Sequence, residues 1–270
     1  MKEIDKILVA VDLLKSTKAL LKYAIEMAIY TDAELVMLHV VDHQNKIKVD
    51  EDPKKSIIAN TKLLSEKSEQ LESMLERFNT KHGQKISVIS RIGFIHRQIT
   101  EVADEEDVDL IMLGKKSKGT FLTFERTIDE VISIASKPVL IVPDNIVFHP
   151  FNNKLYTTDF LYDDSKSINF MQNFNGRTTC LHINQDTNES MMTNKKMEVL
   201  KGIYNNDNFQ FVIQKGNAPV AILDYASEIK ADLIGLTHKQ RGLWNYFFQA
   251  SVCKSIVKRS KVPSIIFQQI

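Results

Sequence analysis

The sequence predicts an α/β protein with two doubly wound domains, each built on a five-stranded parallel sheet. Three observations favour this fold class. Residues 108–114 (VDLIMLG) recur near the end of the chain as residues 231–237 (ADLIGLT), which indicates a duplicated unit. Continuous apolar runs of strand length, such as residues 7–11, are typical of strands covered on both faces. These runs alternate with segments of helical periodicity, which requires crossover connections and hence parallel strands.

Each element of the first copy follows from its pattern. The apolar run at residues 7–11 ends at Asp12, and Ala19 begins a helical stripe that continues to Ala28. After a polar stretch, a long helix is predicted with its apolar stripe from Ile58 to Phe78 and with Gly83 just beyond its end. The other predicted elements are strands at residues 35–41, 86–90, 109–113 and 139–142, and helices at residues 95–105 and 127–135.

The second copy repeats this order in a shorter form. Residues 155–159 correspond to residues 8–12, and residues 180–183 correspond to 37–40. The long helix of the first copy is reduced to residues 191–204. Pro150 and neighbouring Asn residues mark a linker at residues 143–153. We therefore predict one domain at residues 1–144 and a second at residues 153–270.

Length and composition exclude several classes of protein. The chain of 270 residues accommodates two domains of roughly 130 residues, each able to bury a core. An apolar content of 43% is that of an ordinary globular protein, and a net charge of +1 gives no general attraction to nucleic acid or to an anionic membrane. No apolar run approaches the ~20 residues that span a bilayer, so a cytoplasmic location is expected.

Residues with catalytic or metal-binding chemistry form no pattern that assigns a reaction. No combination of Ser, His and Asp or of paired carboxylates indicates catalysis, and no His or Cys cluster indicates a metal site. His39 and His182 hold equivalent strand positions among apolar neighbours, which is typical of hydrogen-bonded core residues. Cys180 and Cys253 lack the spacing of a disulfide framework, and buried thiols are expected.

The order of elements, the VAVD strand end at residues 9–12, the LHVV strand at residues 38–41 and the repeated DLI strands together resemble a tandem universal stress protein. The resemblance covers essentially the whole chain. It implies the adenine nucleotide alpha hydrolase-like fold, with two five-stranded units that pair through their last strands as an intramolecular pseudo-dimer. It also implies ATP or AMP as a candidate ligand, and it leaves open an unknown protein partner and a homodimer of the tandem chain.

Nucleotide-binding members of this family resemble one another in a loop written G-x-x-G-x9-G-[ST] after the fourth strand. Glycines let the backbone approach phosphate oxygens, and the amides of the next helix donate to them. Both copies depart from this pattern. In the first, Gly114 is followed by Ser117, and Glu125 and Arg126 replace the last Gly and Ser. In the second, Thr237, Gln240 and Ala250 occupy the glycine positions, and Ser251 is retained.

The resemblance implies candidate nucleotide-binding residues in both copies. Asp12 and Asp159 match an aspartate that lies near adenine and ribose, although an Asp at a strand end also turns the chain by bonding to the backbone. Val41 matches a position whose backbone contacts adenine, and is equally expected as core. The full set is Asp12, Val41, Gly114 and Ser117 in the first copy, and Asp159, Thr237 and Ser251 in the second.

Two functions follow from these observations. The first is a non-catalytic, stress-associated regulatory protein whose ATP binding is weakened or lost, which the missing glycines favour. The second is an adenine-nucleotide binder, for ATP or AMP, with at most slow hydrolysis.

Overall fold

A computed structural model describes residues 4–14, 17–42, 53–77, 85–115, 121–160, 163–184, 191–204, 207–239 and 246–269. The chain forms two compact units. One is Ile4–Phe148, and the other includes His149–Ile270. Both units alternate strands and helices, as the fold class predicts.

The first unit is a doubly wound parallel sheet. Its strands lie in the order β3-β2-β1-β4-β5, and each neighbouring pair is parallel. The elements are β1 (Lys6–Val11), α1 (Thr17–Thr31), β2 (Glu34–Asp42), α2 (Pro53–Glu76), β3 (Ile86–Gly93), α3 (Ile95–Glu105), β4 (Leu110–Lys115), α4 (Phe121–Ile134) and β5 (Val139–Pro143).

The second unit has the same strand topology. Its order is β10-β9-β6-β7-β8, with parallel neighbours, so that β6 holds the middle position that β1 holds in the first unit. The elements are β6 (Asn153–Thr158), α5 (Ser165–Gln172), β7 (Arg177–Asn184), α6 (Met191–Ile203), β8 (Phe209–Lys215), α7 (Ala218–Glu228), β9 (Leu233–Lys239), α8 (Tyr246–Arg259) and β10 (Ser264–Gln269).

The core of the first unit lies around its middle strand. Ile7, Leu8 and Val9 are fully buried, which agrees with a continuous apolar run covered by helices on both faces. Helix α1 contributes small and medium side chains to this core, including Leu21, Ala24, Met27 and Ala28. Apolar runs of this kind therefore identified the strands correctly.

A repeated aspartate fixes the register of the middle strand in each unit. Oδ2 of Asp109, just before β4, accepts hydrogen bonds from the backbone N–H groups of Asp5 and Lys6 at 2.9 and 3.1 Å. Oδ2 of Asp232 likewise accepts from the N–H of Asn153 at 2.8 Å. The aspartate of the repeated sequence therefore lies outside the strand, and it anchors the start of the neighbouring one.

Two of the predicted helices differ from the observed ones. Helix α4 begins at Phe121 and not at residue 127, because Phe121 and Phe124 continue the helical spacing of Ile128. In α2, Leu71 is buried, but Ile58 at the start of the predicted apolar stripe is 68% exposed. The amino-terminal part of this long helix thus extends beyond the core that its apolar pattern predicted. Phe78 lies outside the described residues.

Strand β6 contains a buried lysine. Lys154 is only 1% exposed, and its Nζ donates hydrogen bonds to the carbonyl oxygens of Phe174, Asn175 and Gly176 at 2.6, 2.7 and 3.2 Å. These carbonyls follow the end of α5, so the ammonium group caps that segment. Burial lowers the pKa of Lys154 to about 8, while the charge of Asp232 acts in the opposite direction. The side chain is therefore charged at neutral pH.

We expect Lys154→Met to destabilise the protein by about 1–3 kcal/mol, because the carbonyl oxygens of Phe174, Asn175 and Gly176 lose their charged donor. Urea unfolding at pH 7 followed by circular dichroism measures this change. Lys195→Met, at an exposed position of α6, is the matched control and should be nearly neutral. Equal effects of the two substitutions would show that the three hydrogen bonds contribute no net stability.

The free energy of unfolding should also depend on pH through the titration of Lys154. An unfolded lysine keeps its proton to about pH 10.4, whereas the folded one loses it near pH 8, so the unfolded chain binds more protons in this window. The stability of the parent relative to Lys154→Met should therefore rise with pH from 8 to about 10, by up to about 1.4 kcal/mol per unit. Urea midpoints of both proteins across this range measure it, and a constant difference would contradict the lowered pKa.

Candidate functional site

A cleft of about 420 Å³, counted with the space that opens to solvent, lies at the carboxyl ends of β1 and β4 in the first unit. Strand β1 has β2 on one side and β4 on the other, so the connections leave it in opposite directions. Open parallel sheets bind ligands at such a switch point. The described lining residues include Asp12, Thr17, Leu20, Gly114, Lys115 and Asp144.

Asp12 holds the turn between β1 and α1. Its Oδ1 accepts hydrogen bonds from the backbone N–H of Leu14 at 3.0 Å and from Oγ1 of Thr17 at 2.8 Å. Leu13 between them has a φ of 59°, a left-handed conformation that costs energy for a residue with a branched side chain. Asp12 thus has a structural role: it turns the chain by hydrogen bonding to the backbone, which is one of the two interpretations that the sequence allowed. Its contact with a nucleotide stays a prediction.

Gly114 lies at the cleft because α1 packs closely on β4. A Cβ atom at this position would be 3.1 Å from Cδ2 of Leu20, which is tight for two carbon atoms. A side chain at this position would therefore require Leu20 to shift, so packing as well as the approach of a ligand bears on Gly114. Asp12 and Gly114 line the same cleft, so the structure brings two of the predicted residues together.

The charges at the cleft are mixed. Lys115, the last residue of β4, lines it beside the carboxylates of Asp12 and Asp144. Sequence comparison within the repeat did not identify Asp144, because it follows β5 and has no counterpart in the loop motif. A residue directly after a parallel strand is the signal that would have found it, since the carboxyl ends of these strands meet at one edge.

Val41 and Arg126 are not part of the described lining of the cleft. Val41 is 2% exposed in β2, beside Ile92 of β3, and does not belong to the described lining of the cleft. Ser117 lies outside the described residues. Arg126, which replaces the motif Ser, is in α4, where its Nε donates to Oε1 of Glu130 at 2.8 Å. Its side chain is 79% exposed, so its ion pair belongs to the helix surface.

In the second unit the predicted positions have different surroundings. Asp159 directly follows β6 and is half-buried, in the place of Asp12. Thr237 takes the place of Gly114, and its Oγ1 lies 2.8 Å from the hydroxyl of Tyr156. Ser251 lies within α8, and its side chain is outside the description. A polar cluster around Tyr156 that sequence reasoning missed therefore occupies this region.

The two equivalent histidines bridge neighbouring strands. Nδ1 of His39 donates to the carbonyl oxygen of Val11 at 2.9 Å, and Nδ1 of His182 donates to that of Thr158 at 2.9 Å. Because a carbonyl oxygen only accepts, the proton resides on Nδ1 of each ring. Both histidines therefore connect the end of a middle strand to the adjacent one.

The cysteines have no reactive setting. Both are buried free thiols. Burial raises the pKa of Cys253 to about 12 and also raises that of Cys180, so neither is a thiolate nucleophile at neutral pH.

In the part of the chain that the structure describes, no group of three or more His, Cys, Asp or Glu side chains could hold a metal ion. None of the described helices combines the length and apolar character that a membrane crossing requires.

The doubly wound parallel sheets define a class of α/β protein, the adenine nucleotide alpha hydrolase-like fold. A universal stress protein from Archaeoglobus fulgidus has this fold over 99% of the present chain and 97% of its own, with a TM-score of 0.71 and 19% identity. A putative universal stress protein from Pseudomonas aeruginosa gives a TM-score of 0.63 at 14% identity, over 98% and 93% of the two chains.

Sequence comparisons identify the family. A universal stress protein of Methanocaldococcus jannaschii is 25% identical over 154 residues, which cover 51% of this chain and 93% of that protein. The model of the Universal stress protein family matches residues 3–143. The chain belongs to the Universal stress protein family.

We expect Asp12→Ala to destabilise the first unit by about 1 kcal/mol without any ligand, because the N–H of Leu14 and the hydroxyl of Thr17 lose their acceptor. Asp12→Asn keeps an oxygen at the Oδ1 position and should retain most of this stability. Urea unfolding of the two variants and the parent measures the difference. If the Asn variant were destabilised as much as the Ala variant, the hydrogen bonds would not explain the effect.

Proposed function

We propose that this chain is a stress-associated regulatory protein that binds a ligand without catalysing a reaction, and that its affinity for ATP is weak. Membership of the family supports the association with stress. The observation that carries the weak affinity for ATP is the charge of the cleft in the first unit. In the part of the cleft that the structure describes, two acidic residues, Asp12 and Asp144, line it together with one lysine, Lys115.

The charges can be weighed against those of a ligand. A triphosphate carries about four negative charges, and each charge held about 4 Å from a carboxylate costs on the order of 1 kcal/mol in water, or more where water is excluded. A monophosphate carries about half that charge and extends less far. The described lining therefore favours AMP over ATP as the adenine nucleotide.

The side chains of the described lining support a binding role. The described lining of the cleft contains neither His nor Cys, the side chains that most often transfer protons or attack near neutral pH. Oδ1 of Asp12 is already engaged with Leu14 and Thr17. Ligand binding with a regulatory outcome, through a protein partner, is the function that these residues support best.

One observation favours the second candidate function, an adenine-nucleotide binder for ATP or AMP with at most slow hydrolysis. Asp12 and Gly114, two of the residues that the family resemblance implies, line one cleft at the carboxyl ends of β1 and β4, where open parallel sheets bind ligands. This geometry supports a retained nucleotide site.

The division into two universal stress protein domains, at residues 1–144 and 153–270, is part of the proposal. The family match to residues 3–143 supports the first domain. The second is supported by its strand order, in which β6 stands between β7 and β9 as β1 stands between β2 and β4.

Calorimetric titration with AMP and ATP tests the proposed function. We expect AMP to bind in the micromolar range and ATP to bind at least about fivefold more weakly, because it meets the same carboxylates with more charge. Asp144→Asn should narrow this difference, whereas Asp207→Asn, at an exposed position of the second unit, is the control and should not.

Two outcomes would contradict this proposal. ATP binding more tightly than AMP would show that the cleft tolerates the triphosphate, and turnover of ATP above that of the Asp12→Ala variant would favour the second candidate. Steady release of inorganic phosphate, measured with a coupled assay, reports turnover.

A further inference from the structure

Tyr156 occupies the position in the middle strand of the second unit that Val9, a smaller residue, occupies in the first unit. In the first unit Val9 of β1 is paired with Met112 of β4, and in the second Tyr156 of β6 is paired with Gly235 of β9. The large and the small residue have thus changed strands. The middle strand carries the large side chain in the second unit.

The tyrosine ring fills the space that Gly235 leaves. A Cβ atom on Gly235 would be 2.9 Å from Cδ2 of Tyr156 and 3.2 Å from Cε of Met171, so no other residue fits there without movement. Tyr156 is fully buried, and its ring centroid lies 6.2 Å from that of Phe267 in an edge-on arrangement. The ring is held by packing on several sides.

The hydroxyl of Tyr156 is held as firmly. It donates to Oδ1 of Asp164 at 2.7 Å, and because its single proton is used there, it accepts from Oγ1 of Thr237 at 2.8 Å. Oγ1 of Thr158 donates to the other oxygen of Asp164. Asp164 is 4% exposed. Burial and the charge of Asp164 raise the pKa of Tyr156 well above its ordinary value, so the hydroxyl keeps its proton.

The partners of Tyr156 occupy the positions that line the cleft of the first unit. Thr237 is paired with Phe267 as Gly114 is paired with Val142, and both Gly114 and Val142 are lining residues. Asp164 directly precedes α5, in the same strand-to-helix connection in which Thr17, another lining residue, begins α1 of the first unit. In the first unit, Gly114, Val142 and Thr17 line the cleft. In the second unit, the Tyr156 hydroxyl lies among their counterparts Thr237, Phe267 and Asp164.

We propose that the Tyr156 side chain and the Asp164 carboxylate close the second unit to phosphate-bearing ligands, so that the chain has one such site, in the first unit. A phosphate placed there would meet a buried carboxylate, and the aromatic ring would have to leave its packed position. The presence of the first site rests on the proposed function. The closure of the second unit does not depend on it.

The test compares the number of AMP molecules bound per chain by the parent and by an opened variant. The opened variant carries Tyr156→Val, Gly235→Met, Asp164→Thr and Thr237→Gly, which are the residues of the first unit at the same positions. Tyr156→Phe, which keeps the ring in place, is the control. Circular dichroism and urea unfolding establish that each variant is folded, and equilibrium dialysis with AMP gives the stoichiometry.

We expect the opened variant to bind one more AMP per chain than the parent, and Tyr156→Phe to bind as many as the parent. This increase supports the closure whether the parent binds one AMP or none. A parent value of none would contradict the proposed function alone. Two AMP molecules bound by the parent, or no increase in a folded opened variant, would overturn the inference.

A second measurement decides the matter if the opened variant does not fold. Crystals of the parent soaked in millimolar AMP should show Tyr156 hydrogen-bonded to Asp164, with no nucleotide between Thr237 and Asp164. Nucleotide density at that place, with the ring displaced, would overturn the inference.

Discussion

The parallel pairing of one middle strand with two neighbours is the constraint on which each unit depends. Strand β1 is bonded to β2 and β4, and β6 to β7 and β9. This arrangement buries the middle strand on both faces and places its carboxyl end at the switch point of the sheet. The carboxylates of Asp109 and Asp232 fix the register at the opposite end by accepting N–H groups from the start of that strand.

On this shared frame, the two switch points differ in which strand carries the large side chain. In the first unit a cleft lies beside Gly114, two residues beyond Met112, whereas in the second unit Tyr156 of the middle strand has its hydroxyl next to Thr237. The backbone topology is the same in both units. A difference in ligand binding between them would therefore arise from side chains and would need no change of fold.

The strands were predictable from the sequence, but the polar contacts across them were not. Continuous apolar runs identified the buried strands because a strand covered on both faces has no polar alternation. The bond between Tyr156 and Thr237 joins residues from different strands, and no local pattern marks it. Ile58 was misjudged for a similar reason: helical periodicity shows which side of a helix is apolar, but not how far the core extends along it. Asp12 and Gly114 line one cleft near the ends of β1 and β4, and their contact with a nucleotide stays a prediction.

The glycines of the loop motif do not by themselves show whether a phosphate has space to bind. The motif marks Thr237 only as a lost glycine, whereas the structure places the Tyr156 hydroxyl 2.8 Å from its Oγ1 and the Asp164 carboxylate on the other side of that hydroxyl. Gly114 in turn is constrained by Leu20 on the neighbouring helix, so its presence alone does not indicate a ligand. A glycine at a phosphate loop therefore has to be interpreted together with the residue on the middle strand beside it. In the second unit that residue is Tyr156, whose hydroxyl lies 2.8 Å from Oγ1 of Thr237.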